Sequence, residues 1–245
     1  DSRLMRVWLR SLVSIFFLRP EPVIAEEVKE LYFYDNFSSV SGTWDSFSEN
    51  SNISYSLNGL TLSSSNSRSF PFIFNVQNIF PDQGDYELNI KYSFPTTTNF
   101  GVGFGFGNYI PVYGLQNYND PNIFRDWVYF YTWQGINDKH SIYASNCSSS
   151  NTCPTGLVNI YSSNPSNIDH DLTIKYINSN FFVKHNSENI TNPVLLSSTR
   201  RPDKFWIGNP IKLLSNNNWT TINIKSITVF KLKEIENKKP VVILP

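Results

Sequence analysis

Two tryptophans and two tyrosines occupy every second position of residues 127–133. A β-strand places every second side chain on the same face, so the four share one face and Val128, Phe130 and Thr132 share the other. Trp and Tyr combine a flat apolar body with a polar tip, which suits the C–H face and the hydroxyl rim of a sugar. We therefore predict a carbohydrate-binding surface, the aromatic row, made of Trp127, Tyr129, Tyr131 and Trp133. The alternative interpretation is that the row is buried as structural packing.

Two neighbouring segments support a binding site at the aromatic row. Residues 108–125 are long, irregular in pattern and rich in Tyr, Asn, Asp and Pro, as functional loops often are. The glycines of residues 101–107 alternate along a predicted strand, so a ligand or an aromatic side chain must approach closely there. If that strand is the neighbour of the aromatic row, its glycines make room for the rings. The polar residues expected to hydrogen-bond sugar hydroxyls are Asn117, Asn119, Asp120, Asn122 and Asp126.

Hydrolysis of a glycan with retention requires two carboxylates roughly 5 Å apart. Asp85 and Glu87 stand two positions apart and would share one face of a strand, and Asp120 with Asp126 is a second pair. Asp85 lies at the strand entrance, where a solvated turn residue is the usual occupant. No Gly-X-Ser-X-Gly nucleophile motif occurs in the sequence, and His170 is predicted to be a turn or capping histidine at a strand start. We therefore predict no catalytic residues.

No cofactor is predicted from the sequence, and the alternative is a bound calcium ion. Calcium takes about six to eight oxygen ligands, which Asp and Asn side chains can supply. Asp35, Asn36 and Asp45 are the candidates, but no compact loop motif surrounds them. Asp and Asn at turns usually form local hydrogen bonds instead.

The composition predicts an all-β protein. The chain has 245 residues, of which 16% are aromatic and 40% hydrophobic, and it is rich in Asn, Ser and Thr. Aromatic and β-branched residues favour strands, whereas Asn and Ser favour turns. Twenty basic residues balance twenty acidic ones, which argues against a nucleic-acid-binding groove.

Strand patterns follow one another from residue 31 to residue 232 without a helical pattern between them. Residues 86–94 alternate cleanly, and Asn58-Gly59 is a strong signal for a hairpin turn. Strands joined by turns predict a single β-sandwich over residues 31–232.

Both ends of the chain are expected to lie outside this sandwich. Residues 1–30 combine a positive region with Arg3, Arg6 and Arg10, a short apolar run and a small-residue cleavage pattern, as an export signal does, and Met5 is the expected true start. The run is too short to span a bilayer comfortably, so no membrane association beyond export is predicted. Residues 233–245 read as a linker and the first strand of a following domain, or alternatively as a frayed tail.

Cys147 and Cys153 lie close together in a polar segment. In an exported protein such a pair is expected to form a disulfide.

The order of several short motifs resembles the concanavalin A-like lectin/glucanase superfamily, which includes laminin-G-like modules. The matching stretches are Tyr34–Ser38 with Trp44, Leu57–Leu62, Gly84–Leu88, Gly101–Gly107, His170–Ile174, Phe205–Asn209 and Ile224–Val229. The resemblance implies a jelly roll, an all-β sandwich of two curved antiparallel sheets stacked face to face, with a concave sheet that often carries ligand. The run Val241–Pro245 weakly resembles the opening strand of α/β-hydrolase domains.

We therefore predict a secreted or cell-surface, non-catalytic module for carbohydrate binding or adhesion. Its expected partners are a glycan or polysaccharide and an enzymatic domain that follows it in the full protein. The alternatives are a glycoside hydrolase of the same fold and a purely structural interdomain module.

Overall fold

The structure is a computed structural model of the whole chain. It describes residues 27–47, 51–64, 71–94, 100–108, 127–134, 140–147, 158–163, 169–189, 194–195, 201–208 and 221–234. Within strands 127–134 and 140–147, it describes the side chains of Val128, Phe130, Thr132 and Ile142.

Every regular element in the described part of the chain is a strand, which confirms the prediction of an all-β protein. The strands are β1 Glu27–Asp35, β2 Trp44–Phe47, β3 Ser51–Ser56, β4 Gly59–Ser64, β5 Phe72–Asn75, β6 Tyr86–Ser93, β7 Phe100–Gly107, β8 Trp127–Gln134, β9 His140–Cys147, β10 Val158–Ser163, β11 Asp169–Ile177, β12 Asn180–His185, β13 Glu188–Asn189, β14 Val194–Leu195, β15 Lys204–Gly208 and β16 Thr221–Glu234.

The strands form two antiparallel sheets that pack as a sandwich, as the sequence predicted. The nine-stranded sheet has the order β13-β12-β11-β6-β16-β4-β3, with β1 paired to β16 and β14 paired to β12. The seven-stranded sheet has the order β10-β9-β8-β7-β15-β5-β2. In both sheets, strands distant in sequence are neighbours in space, as in a jelly roll.

The two-residue period decides which side chains enter the core. In β6 the residues predicted to share a face, Tyr86, Leu88, Ile90 and Tyr92, are all buried in the core between the sheets. The same alternation in β7 buries Val102, Phe104 and Phe106, while the intervening residues are glycines. The inner faces of both sheets are thus apolar, and burial of these side chains is the main force that stabilises the sandwich.

The hairpin between β3 and β4 turns where the sequence predicted it. Gly59 has a φ of 109°, in the left-handed region that favours glycine. A Cβ there would also lie 2.2 Å from the carbonyl oxygen of Ile224 on β16, so the close approach of the two backbones requires glycine.

The compact unit that contains both sheets runs from Lys29 to Lys233. Strand β1 begins at Glu27, four residues before the predicted start of the sandwich at residue 31. Residues 1–26 and 235–245 lie outside the described residues, so the export signal, the linker and the following domain stay predictions. No helix long and apolar enough to cross a membrane occurs in the described part of the chain.

Candidate functional site

The aromatic row lies on β8, in the interior of the seven-stranded sheet between β7 and β9. Val128, Phe130 and Thr132 are fully buried in the sandwich interior. The residues of the row alternate with these three along the strand, which assigns them to the other face by period. We call the face of this sheet that points away from the core its outer face.

The glycines of β7 are the direct partners of the aromatic row. The register places Tyr129 opposite Gly105, Tyr131 opposite Gly103 and Trp133 opposite Gly101. Strand β9 on the other side supplies smaller partners, with Ser145 opposite Tyr129 and Ser141 opposite Trp133. The sequence expected a glycine strand beside the row, and the pairing of β7 with β8 has this arrangement.

One glycine of β7 makes room for a residue that the sequence analysis did not single out. A Cβ on Gly105 would lie 1.9 Å from Cε2 and 2.0 Å from Cζ2 of Trp206, so the indole occupies the space that a side chain would fill. Trp206 belongs to β15, the neighbour of β7, where it pairs with Gly105. Its strand neighbours Phe205 and Ile207 belong to the core, so Trp206 lies on the outer face.

The outer face near Trp206 is closed to solvent. Trp206 is 0% exposed and Phe72 on β5 is 2% exposed, although neither belongs to the core between the sheets. Phe72 also contacts Phe74, with ring centroids 5.8 Å apart. Directly opposite residues on neighbouring strands form one row across this face, which we call a register row. Its members are Asp45, Phe74, Trp206, Gly105, Tyr129 and Ser145.

Several predicted site residues lie outside the described residues. These are Asn117, Asn119, Asp120, Asn122 and Asp126, together with Cys153. Cys147 is the last residue of β9, and its backbone pairs with Trp127. The disulfide and the hydrogen-bonding loop therefore stay predictions.

Glu87 is a buried ion-pair residue of the nine-stranded sheet. It is 2% exposed, and its Oε1 accepts a hydrogen bond of 2.7 Å from Lys29 Nζ. Its Oε2 lies 3.4 Å from Nζ of Lys175. Because Glu87 is enclosed between two ammonium groups, it does not line the open cleft that a hydrolytic acid pair needs.

Asp85, the proposed partner of Glu87, has a structural role at the entrance of β6. Its Oδ1 accepts a hydrogen bond from the backbone N–H of Asn178 at 3.1 Å, and its carbonyl accepts one from Leu232 at 3.0 Å. It thereby ties the turn after β11 to β16, as expected of a turn residue.

Asp35 organises the turn that follows β1. Its Oδ1 accepts a 2.6 Å hydrogen bond from the N–H of Phe37, which has a φ of 55°. Its Oδ2 accepts from Trp44 Nε1 at 2.8 Å and from Ser41 Oγ at 3.4 Å. Three donors therefore occupy this carboxylate, and Trp44 is positioned for the core by one of them.

The other two calcium candidates also serve local turns. Oδ1 of Asn36 accepts from the N–H of Ser38 at 3.2 Å, and Oδ1 of Asp45 accepts from the N–H of Ser46 at 2.7 Å. No group of three or more His, Cys, Asp or Glu side chains that could hold a metal ion occurs among the described residues. The side-chain oxygens of Asp35, Asn36 and Asp45 thus accept hydrogen bonds within their own turns.

The prediction that His170 is a turn or capping residue is wrong. His170 lies in β11 with its side chain on the inner face of the nine-stranded sheet, where it is 3% exposed. Its Nδ1 lies 3.1 Å from Nε2 of His185 on β12, which is 0% exposed. The His170 ring also stacks on Tyr92, with centroids 5.1 Å apart.

Burial lowers the pKa of both histidines to about 4. For His170 the proximity of His185 lowers the pKa further, and the carboxylate of Asp169 opposes the shift. For His185 the carboxylate of Glu188 opposes it. Both rings are therefore neutral at pH 7, and one can donate to the other.

Comparison with solved structures identifies the architecture, whereas no family model matches the sequence and no curated protein sequence matches it significantly. The metal-free exoplasmic/lumenal domain of VIP36 superposes with a TM-score of 0.53 over 86% of this chain and 97% of that chain, at 11% identity. The legume lectin-like domain from Entamoeba histolytica has a TM-score of 0.52 at 13% identity, covering 78% and 91%. The Bacillus licheniformis β-glucanase has a TM-score of 0.50 at 15% identity, covering 81% and 97%.

The chain has the concanavalin A-like jelly-roll fold. At these identities the likeness establishes the fold, and this fold carries both sugar-binding domains and a glycan hydrolase among the structures named above. In this chain, the outer face of the seven-stranded sheet contains the glycines of β7 and Trp206.

Proposed function

We propose that this chain is a secreted or cell-surface, non-catalytic module that binds carbohydrate through the outer face of its seven-stranded sheet. The observation that carries the proposal is the register of β8. Val128, Phe130 and Thr132 enter the interior, so the aromatic row belongs to the outer face. Stacking of sugar rings on Trp and Tyr then supplies affinity, because their flat surfaces match the apolar face of a pyranose.

The position of the row within the sheet suits a rigid platform. Strand β8 is paired on both sides, to β7 and to β9, so its backbone is held by two ladders of hydrogen bonds. The β7 partners Gly101 and Gly103 carry no side chains that would rise between the rings and a ligand, whereas the indole of Trp206 fills the space over Gly105. Rigid support of this kind lowers the entropy cost of binding.

The functions of the structural neighbours agree with a sugar ligand. The VIP36 domain has been crystallised in a form with bound Ca²⁺ and mannose, and the Entamoeba histolytica neighbour is a legume lectin-like domain. For the present chain we propose glycan binding without a calcium requirement at Asp35, Asn36 and Asp45, because local donors occupy their oxygens.

The described acidic residues favour binding over hydrolysis. Glu87 is enclosed by two lysines on the other sheet, and Asp85 caps a turn. We propose that any catalysis in the full protein belongs to the domain that follows residue 233.

A structural interdomain module is the second candidate. The observation that favours it is the complete burial of Trp206 on the same outer face. If the aromatic row is covered in the same way, the face serves packing and not recognition.

A glycan array probed with the purified chain tests the proposal. We expect the wild type to bind at least one glycan and Trp133→Ala to bind it at least tenfold more weakly. The reason is that stacking of one ring on an aromatic side chain contributes about 1–3 kcal/mol. Tyr32→Ala is the matched control, since Tyr32 is an exposed aromatic residue of the other sheet and should leave binding unchanged.

Three outcomes separate the candidates. Absence of binding to every glycan favours the structural module. An equal loss of binding in both variants contradicts the proposed face. Release of new reducing ends from a bound glycan by the wild type supports the hydrolase.

A further inference from the structure

Two exposed asparagines lie in the tripeptide pattern that N-glycosylation requires. The pattern is Asn-X-Ser/Thr with X other than Pro, and the chain contains it five times. The structure describes the Asn and Ser side chains of two of these tripeptides, Asn36-Phe37-Ser38 and Asn52-Ile53-Ser54, and all four side chains are exposed. So short a pattern also arises by chance in a chain rich in Asn and Ser, so its position in the fold has to decide whether it is used.

Both asparagines lie at the same edge of the sandwich. Strand β3, which carries Asn52, ends the nine-stranded sheet, and β2 ends the seven-stranded sheet. Burial raises the pKa of Tyr55 on β3, and the nearby carboxylates of Asp35 and of Asp45 on β2 raise it further. The last strands of the two sheets therefore lie close together, and Asn36, the residue after Asp35, lies beside them.

Strands β2 and β3 are edge strands in the described part of the chain. There β2 pairs with β5 alone, and β3 pairs with β4 alone. An edge strand presents backbone N–H and C=O groups with which another chain can pair, so proteins usually protect their edges. Because a glycan is bulky and solubilising, one attached beside each strand would keep other chains away from both edges.

The surroundings of both asparagines leave room for a glycan. Oδ1 of Asn36 accepts a hydrogen bond of 3.2 Å from the backbone N–H of Ser38, so this bond uses the amide oxygen and not the nitrogen that would carry a sugar. On β3, Asn52 alternates with Ile53 and Tyr55, which pack against the core, so its side chain points away from the core. Each asparagine can therefore carry a glycan without disturbing the packing between the sheets.

We infer that Asn36 and Asn52 are N-glycosylation sites and that their glycans protect the edge formed by β2 and β3. The inference rests on the export that is part of the proposed function, but not on the aromatic row. In the reaction, the side-chain amide nitrogen forms a bond to the anomeric carbon of an oligosaccharide carried on a polyprenyl diphosphate. The bond between that carbon and the diphosphate oxygen breaks, the nitrogen loses a proton, and the lipid diphosphate leaves.

Secretion of the full chain from cultured animal cells, behind a secretion signal of those cells, tests the inference. We expect peptide mass spectrometry to find a glycan at Asn36 and another at Asn52, and a peptide N-glycosidase to remove both. Ser38→Ala should abolish the first glycan and Ser54→Ala the second. Ser38→Thr and Ser54→Thr should retain them, because Thr also satisfies the pattern.

Asn58→Gln is the matched control for the loss of an asparagine. Asn58 is exposed in the turn that follows β3, but the residue two positions later is Leu60, which has no hydroxyl group. This substitution should leave both glycans in place. A secreted wild type with no glycan at Asn36 or at Asn52 overturns the assignment of that residue, whatever the result of the glycan array.

Light scattering tests the protective role of the glycans. The double variant Ser38→Ala/Ser54→Ala should form a larger fraction of aggregates than the glycosylated wild type at the same concentration, because the edges of β2 and β3 are then open to other chains. An equal fraction of aggregates in the two proteins overturns the protective role. Failure of the glycosylated wild type to bind any glycan contradicts the proposed function instead and leaves both modification sites unaffected.

Discussion

The outer face of the nine-stranded sheet mixes paired charges and polar residues with phenylalanine, whereas the outer face of the seven-stranded sheet combines large aromatic residues with glycine. On the first, one row of cross-strand partners is Phe182, Lys175, Glu87 and Phe230, and the next row is Thr173, Asn89 and Thr228. On the second, one register row passes through Phe74, Trp206, Gly105 and Tyr129.

The inner faces of the two sheets are alike, so the formation of the sandwich does not explain this difference. Polar and paired charged residues suffice for a sheet face in water. A large aromatic face must instead be covered by the chain or by a partner. On the proposed function, ligand binding belongs to the seven-stranded sheet and the nine-stranded sheet contributes stability, and four predictions test this division.

The largest expected effect is a loss of folding stability at acidic pH, caused by the two buried histidines of the nine-stranded sheet. The folded-state pKa of His170 and His185, about 4, is below the ordinary value of 6.5. The folded state therefore resists protonation, and its stability is fully present above about pH 6.5 and is lost as the pH falls towards 4. We expect a loss of about 4 kcal/mol between neutral pH and about pH 4.5, from the two shifts together.

Urea unfolding at a series of pH values measures this loss. The double variant His170→Gln/His185→Gln should show a flatter pH dependence over the same range, because amides do not titrate. His140→Gln, which removes the third histidine of the chain, should retain the wild-type slope. A slope that is the same in all three proteins would contradict the role of the buried pair.

Gly105 is the sharpest test of the aromatic face. Gly105→Ala places a methyl group on the buried indole of Trp206, and overpacking of this kind should lower the free energy of unfolding by about 3 kcal/mol. Gly42→Ala is the matched control, since its nearest neighbour lies 3.9 Å away, and it should change stability by less than about 0.5 kcal/mol. Chemical denaturation measures the free energy of unfolding of both variants. Equal values would mean that Trp206 does not occupy the space over Gly105.

The nine-stranded sheet allows a comparison between a buried carboxylate, Glu87, and an exposed one, Asp169. Glu87→Gln leaves Lys29 and Lys175 without their carboxylate in a buried setting, which should cost about 2 kcal/mol. Asp169→Asn removes the partner of Lys225 in an exposed pair and should cost less than about 0.5 kcal/mol. Both should bind glycans like the wild type, and a selective loss of binding in Glu87→Gln would return this sheet to consideration as a functional surface.

The smallest effect is expected at the turn after β1. Asp35→Asn weakens the hydrogen bonds to Phe37 and Trp44 and should lower stability by about 1 kcal/mol. Asp45→Asn, at an exposed position, serves as the control. Melting curves with calcium and with a chelator should coincide for the wild type and for both variants. A calcium-dependent shift that only Asp35→Asn abolishes would instead assign Asp35 to a metal site.

The strands were predictable because their signal is local. The alternation of residues 86–94 is visible in the sequence alone and matches the buried face of β6. Strand β1 was predicted four residues short, because the charged residues Glu27–Glu30 resemble the region after an export signal more than a strand.

The contacts that define the site were not predictable, because they depend on register. Trp206 and Gly105 are about a hundred positions apart in the sequence and meet only because β15 pairs with β7. His170 resembled a turn residue between two aspartates, and only the pairing of β11 with β12 brings it to His185. The aromatic row illustrates the same limit. Its two-residue period assigns it to one face of the sheet, but no local sequence pattern indicates what covers that face.

The place of β16 has a consequence for synthesis on the ribosome. This strand pairs with β4 through its first residues and with β6 along most of its length, and β1 pairs with it as well. Strand β16, the last strand of the sandwich in chain order, therefore joins three segments that are translated before it. Until it leaves the exit tunnel, the nascent chain exposes open strand edges that can pair wrongly. Closure of this sheet thus requires residues 221–234 to have left the exit tunnel, and a ribosome stalled before residue 221 should hold an aggregation-prone chain.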